Sequence, residues 1–185
     1  MTRWTAVGWY RWMLKCFTYS RHCCSDWNMA AAITRILTLV LLLVAVGTGP
    51  LYASETFPTG RLTIETASGG KYGFAIEIAQ TPRQMAQGLM FREQLAPDAG
   101  MLFILPATQT MSMWMKNTLI PLDMVFIDTD GRIVNVHERA VPQSLDTISS
   151  AGPVKGVLEI GGGMASKLGI RAGDRVVHEA FQPPK

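Results

Sequence analysis

Apolar and polar positions alternate along the first part of the folded region. Leu62, Ile64 and Thr66 are separated by Thr63 and Glu65, and Tyr72, Phe74, Ile76 and Ile78 by Gly73, Ala75 and Glu77. A period of two predicts strands with one buried face. Ser68, Gly69 and Gly70 lie between them and supply positive-φ positions, so the pair reads as a hairpin. The period then changes. Thr81 as N-cap, Pro82 at the first helical position and Gln84 completing a capping box predict a short helix, with Met85 and Leu89 on its core side. After a turn at 97–100, Met101 to Leu105 form an unbroken apolar run, a buried strand that Pro106 should stop.

Residues 111–128 are the densest stretch. On a strand, Met111, Met113 and Met115 share one face, and Ser112, Trp114 and Lys116 the other. Lys116, Asn117 and Thr118 then form a polar turn before Ile120 and Pro121. Residues 122–127 are apolar apart from Asp123, which predicts a strand buried on both faces around one carboxylate. Asp128 to Gly131 make a hairpin turn into an alternating strand that carries Ile133, Asn135 and His137. Residues 141–153 read as a loop long enough to act as a lid or pocket rim. A strand at 154–160, a short helix at 164–168 capped by Gly169, and a last strand at 175–181 complete the pattern. His178 on that strand is expected to face solvent or a strand neighbour. The fold expected is a single compact, mainly β domain, a barrel or sandwich with one or two short helices.

The leading third has a different character. Residues 36–46 are an apolar run of 11 residues, roughly 17 Å as a helix against about 30 Å for a bilayer core. Arg35 precedes the run, and Gly47, Gly49, Pro50 and Ala53 follow. That is the order of a signal peptide, expected at 29–53 with cleavage after Ala53, the alternative being a membrane anchor at 36–46. Residues 1–28 have no period and hold four of the five tryptophans and all three cysteines. They are expected to be an upstream extension, with Met29 as the true start. The remaining divisions are a linker at 54–61, the β-rich domain at 62–181 and a tail at 182–185.

Charge and cysteine usage follow that division. Residues 54–185 hold 12 of the 17 Lys/Arg and 13 of the 14 Asp/Glu. A domain so nearly neutral has no bulk electrostatic reason to bind nucleic acid or an anionic membrane. With Cys16, Cys23 and Cys24 all upstream, it has neither a disulfide framework nor a thiol nucleophile.

Candidate chemistry is concentrated around the polar turn. Arg92, Trp114, Lys116, Asn117, Thr118 and Asp123 are the candidate ligand-binding residues, as the mouth of a pocket. The bland reading makes Asn117 and Thr118 turn-formers, Arg92 half of a surface ion pair and Asp123 a buried structural carboxylate. A hydrolase-like enzyme would need Lys116, Asp123 and Arg92 to converge, acting on a carbohydrate or peptide. A soft-metal site for Cu(I) would use Met111, Met113 and Met115 with His137, because thioether sulfur suits that ion. Methionine as an adaptable core filler explains the same stripe.

Gly88-Leu-Met-Phe-Arg92, Gly100-Met-Leu-Phe103, Trp114-Met-Lys-Asn-Thr118, Ile120-Pro-Leu-Asp123 and Phe126-Ile-Asp128 together resemble the family known as domain of unknown function 192. The resemblance continues through Val157-Leu-Glu159, Leu168-Gly-Ile170 and Gly173-Asp174. It implies a compact, mainly β, often exported domain and no established activity or cofactor. Met111 and Met113 lie outside that pattern. The function expected is a non-enzymatic module of the cell envelope that binds a small molecule, a polymer or an envelope protein. No cofactor and no nucleic acid are expected, and the membrane enters only through the targeting segment.

Overall fold

The protein is represented by a computed structural model that describes Arg35 and residues 55–181. Residues 54–185 form a compact unit of their own. The expected upstream extension, the rest of the expected signal peptide and the tail lie outside the described residues. Among the described residues no helix is long and apolar enough to cross a membrane.

The domain is mainly β, as the alternation predicts. Its strands are β1 (Thr59–Glu65), β2 (Lys71–Ala79), β3 (Ala99–Gln109), β4 (Ser112–Met113), β5 (Leu122–Ile127), β6 (Ile133–Ala140), β7 (Ile148–Ser149), β8 (Val154–Gly161) and β9 (Arg175–Val177). Two short helices, α1 (Pro82–Gln87) and α2 (Met164–Leu168), and a 3-10 turn, Glu179–Phe181, complete it. Seven strands form one sheet in the order β6-β5-β8-β3-β2-β1-β9, and β4 and β7 form a separate ribbon. Only β2 and β3 run parallel within the large sheet. A parallel pair needs a crossover, and α1 lies in it.

The sheet curls until its edges meet. Arg132, just before β6, bridges Arg175 on β9. The Ile133 amide donates to Asp174 O at 2.8 Å and the Val176 amide to Gly131 O at 2.7 Å. The result is a half-barrel with a core on each side of its central strands. Inside the curl lie Ile64, Phe74, Leu102, Val125, Leu158 and Phe181 among others. Outside, Leu89, Phe103, Met115, Met124 and Val157 form a second core. Strands β3, β5 and β8 are therefore covered on both faces, which is why they read as unbroken apolar runs.

Several boundaries differ from expectation. The linker at 54–61 gives way to β1 at Thr59, because Thr59 pairs with Glu77. Pro106 does not stop β3, which runs on to Gln109. The proline has no amide to donate, and it sits in the gap where pairing with β8 lapses between Ile104 and Gln109. Lys155 Nζ fills part of that gap, donating to Leu105 O at 2.7 Å. The strand at 111–115 shrinks to β4, and its partner β7 comes from the segment expected to be pure loop. The last strand ends at Val177, and the 3-10 turn folds Phe181 into the inner core. His178 is consequently buried, not solvent-facing; its Nδ1 accepts the Ala180 amide at 3.2 Å.

Candidate functional site

The polar turn at 115–118 ties two other segments together, at Phe91 and at Gln143–Ser144. The Phe91 amide donates to Asn117 O at 2.9 Å, the Gln143 amide to Thr118 O at 3.1 Å and the Met115 amide to Ser144 O at 3.0 Å. The cost of this convergence is visible in the backbone. Among the described residues, the non-glycine positions with positive φ are Phe91, Asn117, Arg139 and Gln143, at 61°, 56°, 51° and 62°. Asn tolerates that region, but a bulky residue such as phenylalanine is an outlier there. Such strain persists only where the surroundings over-determine it, and it clusters at functional sites. The same segments carry large apolar side chains into solvent: Phe91 is 67 % and Trp114 55 % exposed, with Leu119, Val141 and Leu145 also exposed.

Beside this hub lies a pocket of about 300 Å³. Helix α1 and the turn after it contribute Met85, Gly88, Leu89 and Met90, and the β4 segment contributes Met111 and Met113. Trp114, Lys116 and Thr118 line it from the polar turn, and the sheet presents Phe103 and Glu159. The capping box predicted for the helix is present: the Gln84 amide donates to Thr81 Oγ1 at 3.2 Å, and Gln84 Oε1 accepts the Thr81 amide at 3.1 Å. That cap fixes where α1 starts, and hence where Met85 stands. The Lys116 ammonium sits 5.6 Å from the Trp114 ring centroid, within cation–π range.

Glu159 is the unusual group. Alternation along β8 puts it on the outer-core face with Val157, between Met101 on β3 and Met124 on β5. It is 4 % exposed, and among the described residues its carboxyl has neither a hydrogen bond nor an ion pair. Desolvation by burial pushes that carboxyl up to about 8. At neutral pH it is held as a neutral acid, able to donate one hydrogen bond and accept others. Charged lining is confined to Glu159 and Lys116. A mostly apolar pocket with few polar groups, one of them strongly perturbed, has the character of a binding site.

The candidate ligand residues divide around this pocket. Trp114, Lys116 and Thr118 line it. Asn117 shapes the turn through its positive φ, and its Nδ2 contacts the Met90 sulfur at 3.8 Å. Arg92 does not join them: it pairs with Glu77 at 2.5 Å on β2. Asp123 is sealed away altogether. Its Oδ1 accepts the Arg139 amide at 2.7 Å and the Gly163 amide at 2.8 Å, and its Oδ2 accepts the Ala165 amide at 2.7 Å. It supplies to the first turn of α2 the acceptors that Gly163, at the N-cap, lacks a side chain to provide. Lys116, Asp123 and Arg92 therefore do not converge, and the hydrolase-like arrangement built on them is corrected by the geometry.

The soft-metal set is likewise divided. Met111 and Met113 line the pocket, whereas Met115 is fully buried in the outer core and His137 lies on β6, away from the pocket lining. Among the described residues no group of three or more His, Cys, Asp or Glu is placed to hold a metal ion. Glu159 was missed as a site residue; its strand also carries Lys155, so the acid stands out less than Asp123 does in β5.

The family model DUF192, described as uncharacterized ACR, matches residues 63–178. No curated protein matches the chain. Among solved structures, a protein from Sinorhizobium meliloti 1021 described as a "putative transcription regulator" is 44 % identical. It superposes with a TM-score of 0.67, over 69 % of this chain and 99 % of that one. A protein of unknown function from Novosphingobium aromaticivorans DSM 12444 is 38 % identical, with a TM-score of 0.64 over 70 % of this chain and 90 % of its own. The match thus takes in nearly all of the Sinorhizobium chain. Here residues 54–185 hold both cores and form a compact unit, and they are the part able to fold alone.

Proposed function

This chain belongs to the DUF192 family, and on that premise we propose that it is a non-enzymatic ligand-binding module of the cell envelope that takes a small molecule into the pocket beside the polar turn. The observation that carries this reading is Glu159, a largely buried carboxyl that lines a methionine-rich pocket and, among the described residues, has neither a hydrogen bond nor an ion pair. No fully buried side-chain oxygen or nitrogen among the described residues lacks a hydrogen bond, so the Glu159 carboxyl opens to the pocket, within reach of a ligand there. The strained hub and its exposed apolar rim support the same location.

Export rests on the positive residue, short apolar run and small residues of 29–53. The description of the Sinorhizobium relative points elsewhere, to transcription. The 12 basic and 13 acidic residues of 54–185 supply no basic balance for nucleic acid. The reading is tested by recovering the chain from the envelope fraction and analysing it by native mass spectrometry. The expected species begins at residue 54 and retains a small molecule, which Met113→Trp, filling the pocket, displaces while the unfolding midpoint holds. Recovery from the cytoplasm would overturn the export; retention unchanged in Met113→Trp would overturn the pocket.

A further inference from the structure

We propose that the ligand is a small amphipathic carboxylate: one organic acid group held by Lys116, with Glu159 as a second, neutral donor and a hydrocarbon body along the thioether wall. This rests on the reading of the pocket as a ligand site and names what the site selects. The first support is the unanswered cation. Lys116 lines the pocket with its ammonium over the Trp114 ring. Among the described residues the ion pairs are Lys71–Glu65 and Arg92–Glu77, so Lys116 meets no carboxylate of the protein. A charge of one sign on a concave site with apolar walls focuses its field on whatever enters.

Glu159 agrees with that sign. Burial holds its carboxyl protonated at neutral pH, so it turns an O–H toward the pocket and adds no negative charge. The lining then carries positive charge alone, and both of its titratable groups are donors. A carboxylate has two acceptor oxygens, enough for both, and hydrogen bonds to a charged acceptor are roughly twice as strong as neutral ones. An ammonium would meet a like charge and a donor; an alcohol would leave the lysine unanswered.

The rest of the wall sets the body of the ligand. Met85, Met90, Met111 and Met113 present flexible, polarizable side chains suited to a hydrocarbon of irregular shape. The volume of about 300 Å³ lies at the lower end for ligand sites, so the chain is short and single.

The proton on Glu159 makes the preference depend on pH. As pH rises past about 8 the carboxyl releases that proton and sets a second negative charge beside the ligand's, so affinity falls. The surroundings leave this titration to Glu159. Met101 and Met124 flank it on β3 and β5; opposite them, Glu77 on β2 is tied to Arg92, and His137 on β6 is exposed. Asp123 faces the other side of the sheet, held by amides. From the layer above, α1 and β4 present thioethers, and the charged group is Lys116.

The test uses residues 54–185, in which Trp114 is the single tryptophan. Its fluorescence is titrated with hexanoate, 1-hexanol and n-hexylammonium between pH 6.5 and 9.5. At pH 6.5 hexanoate is expected to bind about tenfold more tightly than hexanol, and hexylammonium more weakly than either. By pH 9.5 hexanoate should have weakened by about tenfold or more, with hexanol unchanged. Lys116→Met is expected to erase the preference for hexanoate and Glu159→Gln to erase the pH dependence, while hexanol binding by both variants shows them folded. Hexanoate no tighter than hexanol, a preference that survives Lys116→Met, or a pH profile unchanged in Glu159→Gln would overturn the carboxylate and, with hexanol still bound, leave the pocket reading in place. No binding by any of the three overturns both.

Discussion

On the inner side of β5, Asp123 accepts three backbone amides; on the outer side of β8, Glu159 accepts none among the described residues. Both are acids inserted into apolar strands at the centre of one sheet, and both are buried. What separates them is what lies above each face. The inner face at Asp123 meets the start of α2, whose first amides need acceptors that a glycine N-cap cannot supply. The outer face at Glu159 meets thioethers and the pocket, and among the described residues no protein donor reaches the carboxyl there. The first arrangement consumes the polar group in holding the chain together. The second leaves it available, at the expense of stability, and the strained and apolar-rimmed loops gather beside it. Burial of an acid is therefore no guide to its role until its partners are counted.

The contrast is open to direct attack. The largest effect is expected from Asp123→Ala, which strands the amides of Arg139, Gly163 and Ala165. A loss of roughly 3–5 kcal/mol is expected, read as a lower urea midpoint at unchanged m-value. A loss under about 1 kcal/mol would mean that water replaces the carboxylate easily, and Asp123 would cease to be the structural member of the pair.

Glu159 makes the next largest difference, and its sign is opposite to that of an ordinary carboxylate. The folded carboxyl titrates near 8, above its ordinary value of 4.5. The folded state therefore keeps a proton that the unfolded chain has released. The contribution of Glu159 is fully present below pH 4.5 and is lost as pH rises to about 8, by on the order of 1 kcal/mol per pH unit. Urea midpoints measured across that window should fall more steeply in the wild type than in Glu159→Gln. Parallel profiles would show that Glu159 has a partner in solution, and the contrast with Asp123 would collapse.

The smallest effect is expected at the Arg92–Glu77 pair. It is partly exposed, so Arg92→Ala should cost less than about 1 kcal/mol and leave retention of a small molecule in the pocket unchanged. A loss of binding would draw Arg92 back into the site.

Much of the fold was legible along the chain because its signals are local. The turn at 66–70, the capping box of α1, the Asp128 to Gly131 turn and the Gly169 cap all depend on neighbours within a few residues. The misread boundaries share the opposite property. The early start of β1, the passage of β3 through Pro106 and the pairing of β4 with β7 are set by partners far along the sequence. A two-residue strand has no period to detect. The candidate site was half legible on the same grounds. The turn carrying Trp114, Lys116 and Thr118 announced itself, whereas Met85, Met90 and Glu159 reach the pocket only through tertiary packing.

Sequence alone determined that Asp123 would be buried, since an acid within an apolar run has nowhere else to go when its strand is covered on both faces; the burial of Glu159 was not read from the chain. It determined the mainly β class and the polar turn for the same local reason. Only the tertiary structure decided which acid would have partners. The Gly163 and Ala165 amides come from 40 and 42 residues beyond Asp123, and the thioethers around Glu159 come from α1 and β4 as well as from the sheet. Alternation fixes the face on which a side chain lies; the opposing layer decides whether a donor waits there, and that layer is assembled from distant parts of the chain.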